Sequence, residues 1–248
     1  MKTIAIISRK GGVGKTATAQ ALGAGLVKRG KKVLFIDLDS QANLTFTTGA
    51  KFGQTNSLDI LTGEATAEEA IQSTKQGDII ASCENLAGAD IILTDTGKEY
   101  RLKEALEPLK RKYDYAIIDT PAALGTLTVN ALTAADFAII PVQAEIFSVQ
   151  GIGQLKNTLE NVRKYCNKQL KVKGVLITRY NGRATLSQDM QDNLNEAAKQ
   201  LKTALFSTPI RECISVKEAQ AMQQDIFSYA PKSNAAKDYD LFVDEFLK

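Results

Sequence analysis

Short apolar runs punctuate the chain at Ile4-Ala5-Ile6-Ile7, Val33-Leu34-Phe35-Ile36, Ala116-Ile117-Ile118, Phe137-Ala138-Ile139-Ile140 and Val175-Leu176-Ile177. Each run is continuous where a half-buried strand would alternate, a pattern that suits strands covered on both faces of a parallel sheet. The stretches between them carry helical spacing. Leu155, Leu159, Val162 and Cys166 recur at steps of three and four, as do Leu186, Met190, Leu194, Ala197, Leu201 and Leu205. The C-terminal segment does the same with Ala235, Tyr239, Phe242 or Val243, and Phe246. Strands alternating with helices predict a doubly wound α/β fold, a mostly parallel sheet flanked by helices with right-handed crossovers. No repeat or Gly/Ser/Pro linker interrupts the pattern, so residues 1–248 read as a single domain. The stretch from about Ala42 to Lys98 is the least regular, and excursions from the sheet are expected there.

Composition narrows the chemistry. With 44% hydrophobic and 24% charged residues the chain is neither disordered nor a disulfide scaffold. No apolar run approaches the roughly 18 to 20 residues that span a bilayer, and no secretory leader is evident, which predicts a cytoplasmic protein. There are no histidines, so imidazole acid–base catalysis is excluded. Cys83, Cys166 and Cys213 lie far apart and form no zinc-type pair. The net charge is only +3, but residues 1–36 hold eight basic side chains and no acid.

The strongest signal is Lys10-Gly11-Gly12-Val13-Gly14-Lys15-Thr16, directly after the first strand and before a helix-compatible stretch from Ala17 to Arg29. That context identifies a phosphate-binding loop rather than a plain glycine turn. Its glycines let backbone N–H groups point at phosphate oxygens, Lys15 reaches the β/γ-phosphates, and Thr16 offers a hydroxyl to Mg²⁺. An ordinary loop of this kind has glycine five residues before Gly14; Arg9 stands there, and a second lysine, Lys10, opens the loop. Two acidic segments follow strands, Phe35-Ile36-Asp37-Leu38-Asp39-Ser40-Gln41-Ala42-Asn43 and Tyr115-Ala116-Ile117-Ile118-Asp119-Thr120-Pro121. Carboxylates at the carboxyl ends of parallel strands sit at the sheet crevice, where a metal–nucleotide complex lies. Asp in such places also caps helices and forms turns.

The loop resembles the deviant Walker A motif of the ParA/MinD group of P-loop ATPases. The segment around Asp37 and Asp39 is similar to that group's D-x-D-P-Q motif, and the segment ending at Asp119 to its Walker B. The segments Asn130–Asp136, Ile140–Glu145, Thr178–Arg183, Glu218-Ala219 and Tyr229–Ser233 resemble the ParA/Soj partition branch. The resemblance implies a homodimer that sandwiches two ATP·Mg²⁺, hydrolysing ATP to ADP and phosphate slowly unless a partner stimulates it. Lys10 would reach the partner's phosphates, Thr16 would bind Mg²⁺ directly, Asp119 would do so through water, and Asp39 would position the attacking water. Lys10, Lys15 and Asp39 are then the catalytic set, and the stretch Lys10 to Ala17 holds phosphate. Thr178 and the segment from Pro209 to Arg211 match positions that flank adenine. Ala17 replaces a threonine that helps hold the α-phosphate, and Ser40 replaces proline in a turn near the water site.

Within the group, the nitrogenase iron protein needs cluster cysteines that this chain lacks. MinD-like proteins end in a basic membrane-surface helix; here the end, Asp238 to Lys248, has a mainly acidic charged face that anionic lipid repels. The chain is therefore expected not to bind membrane. From Arg163 to Arg183 there are seven basic residues and no acid. Such a run is often a solvated face, but in the partition branch Arg183 and Lys232 match positions that contact DNA. Ser215 stands where chromosomal relatives often carry another such arginine, and Lys199, Lys202, Arg211 and Lys217 are candidate substitutes. The resemblance thus implies non-specific, salt-sensitive binding of double-stranded DNA by a nucleoid-associated protein, working with a ParB-like adaptor to partition a plasmid, chromosome or mobile element. With the loop this near Met1, no helix-turn-helix region is expected ahead of it. A ParA-like ATPase that positions a protein assembly is the close alternative. A nucleotide-controlled scaffold with negligible turnover is another, which the presence of Asp39 argues against.

Overall fold

The computed structural model describes residues 1–144, 148–181 and 187–248; for residues 148–150 and 187–191 only the backbone is described. In chain order the strands are β1 (Lys2–Ile6), β2 (Val33–Asp37), β3 (Ile71–Thr74), β4 (Gly77–Ile80), β5 (Tyr115–Asp119), β6 (Phe137–Gln143) and β7 (Lys171–Thr178). The helices are α1 (Lys15–Lys28), α2 (Asn43–Thr48), α3 (Ser57–Thr62), α4 (Ala89–Ile92), α5 (Arg101–Ala105), α6 (Thr126–Ala134), α7 (Ser148–Tyr165), α8 (Ser187–Gln200), α9 (Ile214–Ala221), α10 (Ile226–Tyr229) and α11 (Asn234–Leu247).

The strands form one sheet in the order β3-β4-β2-β5-β1-β6-β7. All neighbours run parallel except β3 and β4. The five apolar runs are the five strands from β2 across to β7, and their continuity reflects burial on both faces. Ile4 and Ile6 of β1 face one core with α1 and α11, while Ala5 and Ile7 face the other with α5, α6, α7 and α8. The C-terminal helix buries Ala235, Tyr239, Phe242, Val243 and Phe246, so its apolar face is committed to the core. Among the described residues no helix is long and apolar enough to cross a membrane.

Two expectations change. The irregular stretch is not wholly outside the sheet: β3 and β4 extend it by a hairpin, with Leu34, Phe35 and Ile36 of β2 in register with Asp78, Ile79 and Ile80. The helical spacing up to Leu205 also overruns its helix. The α8 helix stops at Gln200, Lys202 takes a left-handed conformation (φ 57°), and Leu205 instead bridges Val175 beside β7. Leu186 lies outside the described residues.

Candidate nucleotide and metal site

The connection β1–α1–β2 leaves β1 toward one side of the sheet, and β5–α6–β6 leaves β5 toward the other. A doubly wound sheet opens a crevice at the strand ends where this reversal occurs. The loop from Arg9 to Gly14 and the carboxylate of Asp119 meet there.

The loop's shape follows from its glycines. Gly12 (φ 75°) and Gly14 (φ 81°) both lie in the left-handed region, where an L side chain is strained. Gly14 caps α1 without a side-chain hydrogen bond, and the first turn holds no acid. The leading N–H groups and positive end of the helix therefore face the crevice ready for an anion. From below, Gln143 Nε2 donates to Gly12 O (3.2 Å) and Thr178 Oγ1 donates to Val13 O (2.7 Å), bracing the loop on the ends of β6 and β7. Gly11, Gly12 and the basic pair Arg9 and Lys10 are exposed, Val13 is buried beneath them, and Ala17 is half-buried in the first turn of α1.

Lys15 is buried, and Asp119 and Asp39 both act on its charge. Burial nonetheless dominates and holds its ammonium below the ordinary lysine range. Thr16 Oγ1 donates to Asp119 Oδ2 at 2.6 Å. The other oxygen, Asp119 Oδ1, is buried and accepts no hydrogen bond among the described residues. Burial first and the neighbouring Asp37 charge second push the Asp119 carboxyl above its ordinary value. This donor set fits Mg²⁺, which takes one or two protein groups together with phosphate oxygens and water and needs no all-protein cage. Among the described residues no cluster of three or more metal-ligating side chains forms.

Asp39 ends the loop after β2. Its Oδ1 accepts from Gln41 N (3.1 Å) and its carbonyl accepts from Ala42 N (2.8 Å), so the turn that Ser40 leaves without proline is closed by Asp39 itself. Ala42 then enters α2 with φ 50°, a strained conformation that begins the helix immediately after the turn.

Other sequence-derived sites lie around this loop. The Thr178 side chain is buried and its hydroxyl donates to Val13 O and Val142 O (3.0 Å), so it props the loop. Pro209, half-buried, and Arg211 do run beside the end of β7, where Tyr180 N donates to Ile210 O. The Arg211 guanidinium, however, is forked onto the buried Asp238 through Nε (2.8 Å) and Nη2 (2.6 Å). Arg211 is thereby committed to a buried carboxylate, whereas Lys199 is exposed and pairs with Glu196 at the surface. Arg183 lies outside the described residues. Lys232 is exposed just ahead of Ser233, which caps α11. Of the basic run before Arg183, Lys168 and Lys171 are exposed, Arg163 Nε donates to Leu170 O, Lys173 lies over the Phe137 and Phe246 rings, and Arg179 pairs with Glu212.

Sequence reasoning does not single out the buried groups behind the site. Asp37 accepts from Thr45 N and Thr45 Oγ1 (both 2.8 Å), and Ser82 Oγ donates to Asp39 O (2.6 Å). Asp37 is visible within the motif of Asp39. Ser82 has only the short apolar run Ile79-Ile80-Ala81 ahead of it as a sign of a strand end.

Residues 1–172 match a family model described as an AAA domain. The sporulation initiation inhibitor protein Soj of Bacillus subtilis is 40% identical, covering 96% of this chain and 95% of its own. The chromosome partitioning protein ParA of Caulobacter vibrioides is 36% identical, covering 96% and 91%. Among solved structures, a cobyrinic acid a,c-diamide synthase from Mycobacterium smegmatis with bound ADP and magnesium aligns with TM-score 0.86 at 34% identity, covering 100% of this chain and 94% of its own. Apo McdA from Cyanothece aligns with TM-score 0.88 at 28% identity over 100% of both chains. With a crevice built from a braced, glycine-turned loop, Lys15, the Thr16–Asp119 pair and Asp39, and with kinship over nearly its whole length, the chain belongs to the ParA/Soj family of P-loop ATPases.

Proposed function

We propose that this ATPase, acting as a single domain, couples ATP binding to homodimerisation and to non-specific binding of double-stranded DNA, and that a ParB-like adaptor stimulates hydrolysis to drive partition of a DNA cargo. The observation that carries the nucleotide half of this reading is the Thr16–Asp119 hydrogen bond with Asp119 Oδ1 buried beside it and accepting no hydrogen bond among the described residues. A buried carboxylate oxygen without a donor is costly unless a cation or ordered water completes it. The diamide synthase that aligns over this whole chain holds ADP and magnesium, which supports the same occupant here.

In this reading the work divides among named groups. The N–H groups from Gly11 to Ala17 hold the phosphates, with the α1 N-terminus adding favourable potential. Lys15 adds a buried cation, and its desolvation strengthens its pull on phosphate oxygens. Thr16 and Asp119 would hold Mg²⁺, which would supply charge neutralisation to the phosphates. Asp39 orients the attacking water, and Lys10, at the exposed mouth of the loop, reaches the phosphates of the partner in the dimer. Thr178 and Gln143 keep the loop at its height above the sheet. Adenine is held by main-chain groups of the segment from Pro209 to Arg211.

On the DNA side, Arg183 and Lys232 supply phosphate contacts, and dimerisation doubles them. Binding is then ATP-dependent and weakened by salt. The test is binding of an arbitrary duplex with no nucleotide, ADP·Mg²⁺, ATP·Mg²⁺ and a non-hydrolysable analogue, at two salt concentrations, with mass measured in solution. Salt-sensitive binding with the ATP forms alone, at dimer mass, supports the cycle. Dimerisation without DNA binding would redirect the ATPase to positioning a protein assembly.

A further inference from the structure

Asp39 is held through both main-chain polar groups, its N–H by Asp37 two residues back and its carbonyl by Ala42 N of its own turn and by Ser82 from a distant segment. Its N–H donates to Asp37 Oδ1 at 3.1 Å, and its carbonyl accepts from Ser82 Oγ at 2.6 Å. The two anchors are themselves joined. Thr45 Oγ1 donates to Asp37 Oδ2 (2.8 Å) and accepts from Ser82 N (2.8 Å), which closes a ring through Asp37, Thr45, Ser82 and Asp39. Asp37 and Thr45 are fully buried and Ser82 is 3% exposed. In such a low-dielectric setting the hydrogen bonds are strong and polarise one another, so the ring is stiff.

Asp39 itself is only half-buried, and its carboxylate accepts from Gln41 N two residues on. The aim of that carboxylate is therefore set by the backbone that carries it. The hairpin β3–β4 supplies the outer anchor: β4 runs parallel to β2 with Ile80 opposite Ile36, so Ser82, two residues beyond Ile80, arrives level with the loop that follows Asp37. Two further bonds seat the strand end, from Ser57 N to Ala81 O and from Ser57 Oγ to Asp37 O (both 2.8 Å).

We propose that Ser82 is a positioning residue for ATP turnover, its hydroxyl setting the direction of the Asp39 carboxylate by holding the Asp39 carbonyl. The inference rests on Asp39 as the residue that orients the attacking water. Misplacement by about 1 Å can cost as much as ~10²-fold in rate, so losing the long-range anchor from Ser82 is enough to be measured.

The test is Mg²⁺-ATP turnover by the full chain, steady-state and single-turnover, for wild type, Ser82→Ala, Ser82→Thr, Asp39→Ala and the double variant Ser82→Ala/Asp39→Ala. Ser82→Ala is expected to lower kcat by roughly tenfold with KM for ATP and ATP-dependent dimer mass unchanged, the pattern of a lost transition-state interaction. Ser82→Thr keeps a hydroxyl and restores most of the rate. In the residual single-turnover rate that Asp39→Ala retains, Ser82→Ala adds no further loss, because a residue acting through another shows no effect once that other is gone. If the alanine variant folds poorly, Ser82→Cys, close in volume but a weak donor, takes its place and is expected to show the same loss of kcat. A wild-type rate in Ser82→Ala, a rise in KM at unchanged kcat, or an equal further loss in the Asp39→Ala background overturns the inference. If Asp39→Ala itself leaves turnover intact, the reading of Asp39 fails first; if Asp39→Ala abolishes turnover while Ser82→Ala is silent, Ser82 alone is removed.

Discussion

Asp37 and Asp119 stand in register at the carboxyl ends of the neighbouring strands β2 and β5, both without exposed surface. Among the described residues neither carboxylate is paired with an arginine. Asp37 is satisfied by Thr45 and the Asp39 N–H, and Asp119 by Thr16 through one oxygen. The fold therefore gathers two buried carboxyls at neighbouring strand ends, with Lys15 beside Asp119, at a cost in stability.

A pH dependence follows from that pair. Burial lifts both carboxyls above the value near 3.9 of aspartate in an unfolded chain, and for Asp119 the Asp37 charge adds to the rise. Between the unfolded and folded values the native protein holds more protons than the unfolded one, so this pair's contribution is largest in acid and declines as the pH rises through the folded values. Nucleotide-free Asp119→Asn is expected to be more stable than wild type at pH 8 by roughly 1–3 kcal/mol, with the gap closing by pH 5. Urea midpoints at the two pH values measure it, and the same variant should lose Mg²⁺-dependent turnover.

The helix after Asp119 is capped from a distance. Asp90 Oδ1 accepts from Thr126 N at 2.8 Å, while the preceding Gly125 offers no side chain, and a Cβ there would meet Asp90 Oδ2 at 2.7 Å and push it aside. Asp90→Ala should destabilise the protein by about 1 kcal/mol, the usual value of a lost cap, and Asp90→Asn by less. Gly125→Ala should cost a similar amount by displacing the carboxylate, and the double variant should fall short of the sum. Thermal unfolding of the four proteins decides it.

Arg211 separates a structural role from a ligand-binding one. Its guanidinium forks onto Asp238, whose side chain is 6% exposed, and its own N–H donates to the same carboxylate at 3.0 Å. The arginine is half-exposed, so removing it leaves a carboxylate that water can partly reach. Arg211→Ala is expected to lower stability by about 1–3 kcal/mol, and Arg211→Lys, which loses the fork, by an intermediate amount. If main-chain groups of this segment hold the nucleotide, as proposed, ADP affinity measured by calorimetry should stay within twofold of wild type in both. A tenfold weaker affinity at unchanged stability would return the side chain to the adenine site.

The parts legible in the sequence are those where a local pattern has one physical reading. Val33-Leu34-Phe35-Ile36 is apolar throughout because β2 is flanked by β4 and β5 and covered on both faces, and the glycines at 12 and 14 mark the loop because only glycine turns there without strain. The hairpin escaped because Ile71-Gln72-Ser73-Thr74 is polar and partly exposed at the sheet edge, where pairing is decided by the neighbour and not by the residues. Leu205 kept helical spacing yet left the helix, since burial against Val175 satisfies the same apolar side chain. The ring through Asp37, Thr45 and Ser82 joins three separate segments of chain, and no local spacing encodes it.

Lys10 gives the sharpest test of a site shared between two copies. Lys15 is buried, whereas Lys10 stands at the exposed rim of the loop, where it can face outward to another protomer. Lys10→Ala is expected to keep ATP binding within a few-fold while losing turnover by a factor on the order of 10²–10³, as removal of a charge that acts in the transition state does. Asp39→Ala should be inactive for a different reason, having lost the group that orients water in its own site. Mixed in equal amounts, the two inactive proteins form heterodimers in which one site combines an intact Asp39 with the partner's intact Lys10, while the other site lacks both. If dimers form at random, half are mixed and each has one working site, so activity should return to about a quarter of wild type. Lys10 acting only within its own protomer gives no recovery on mixing, so steady-state turnover of the mixture against each variant alone distinguishes the two arrangements.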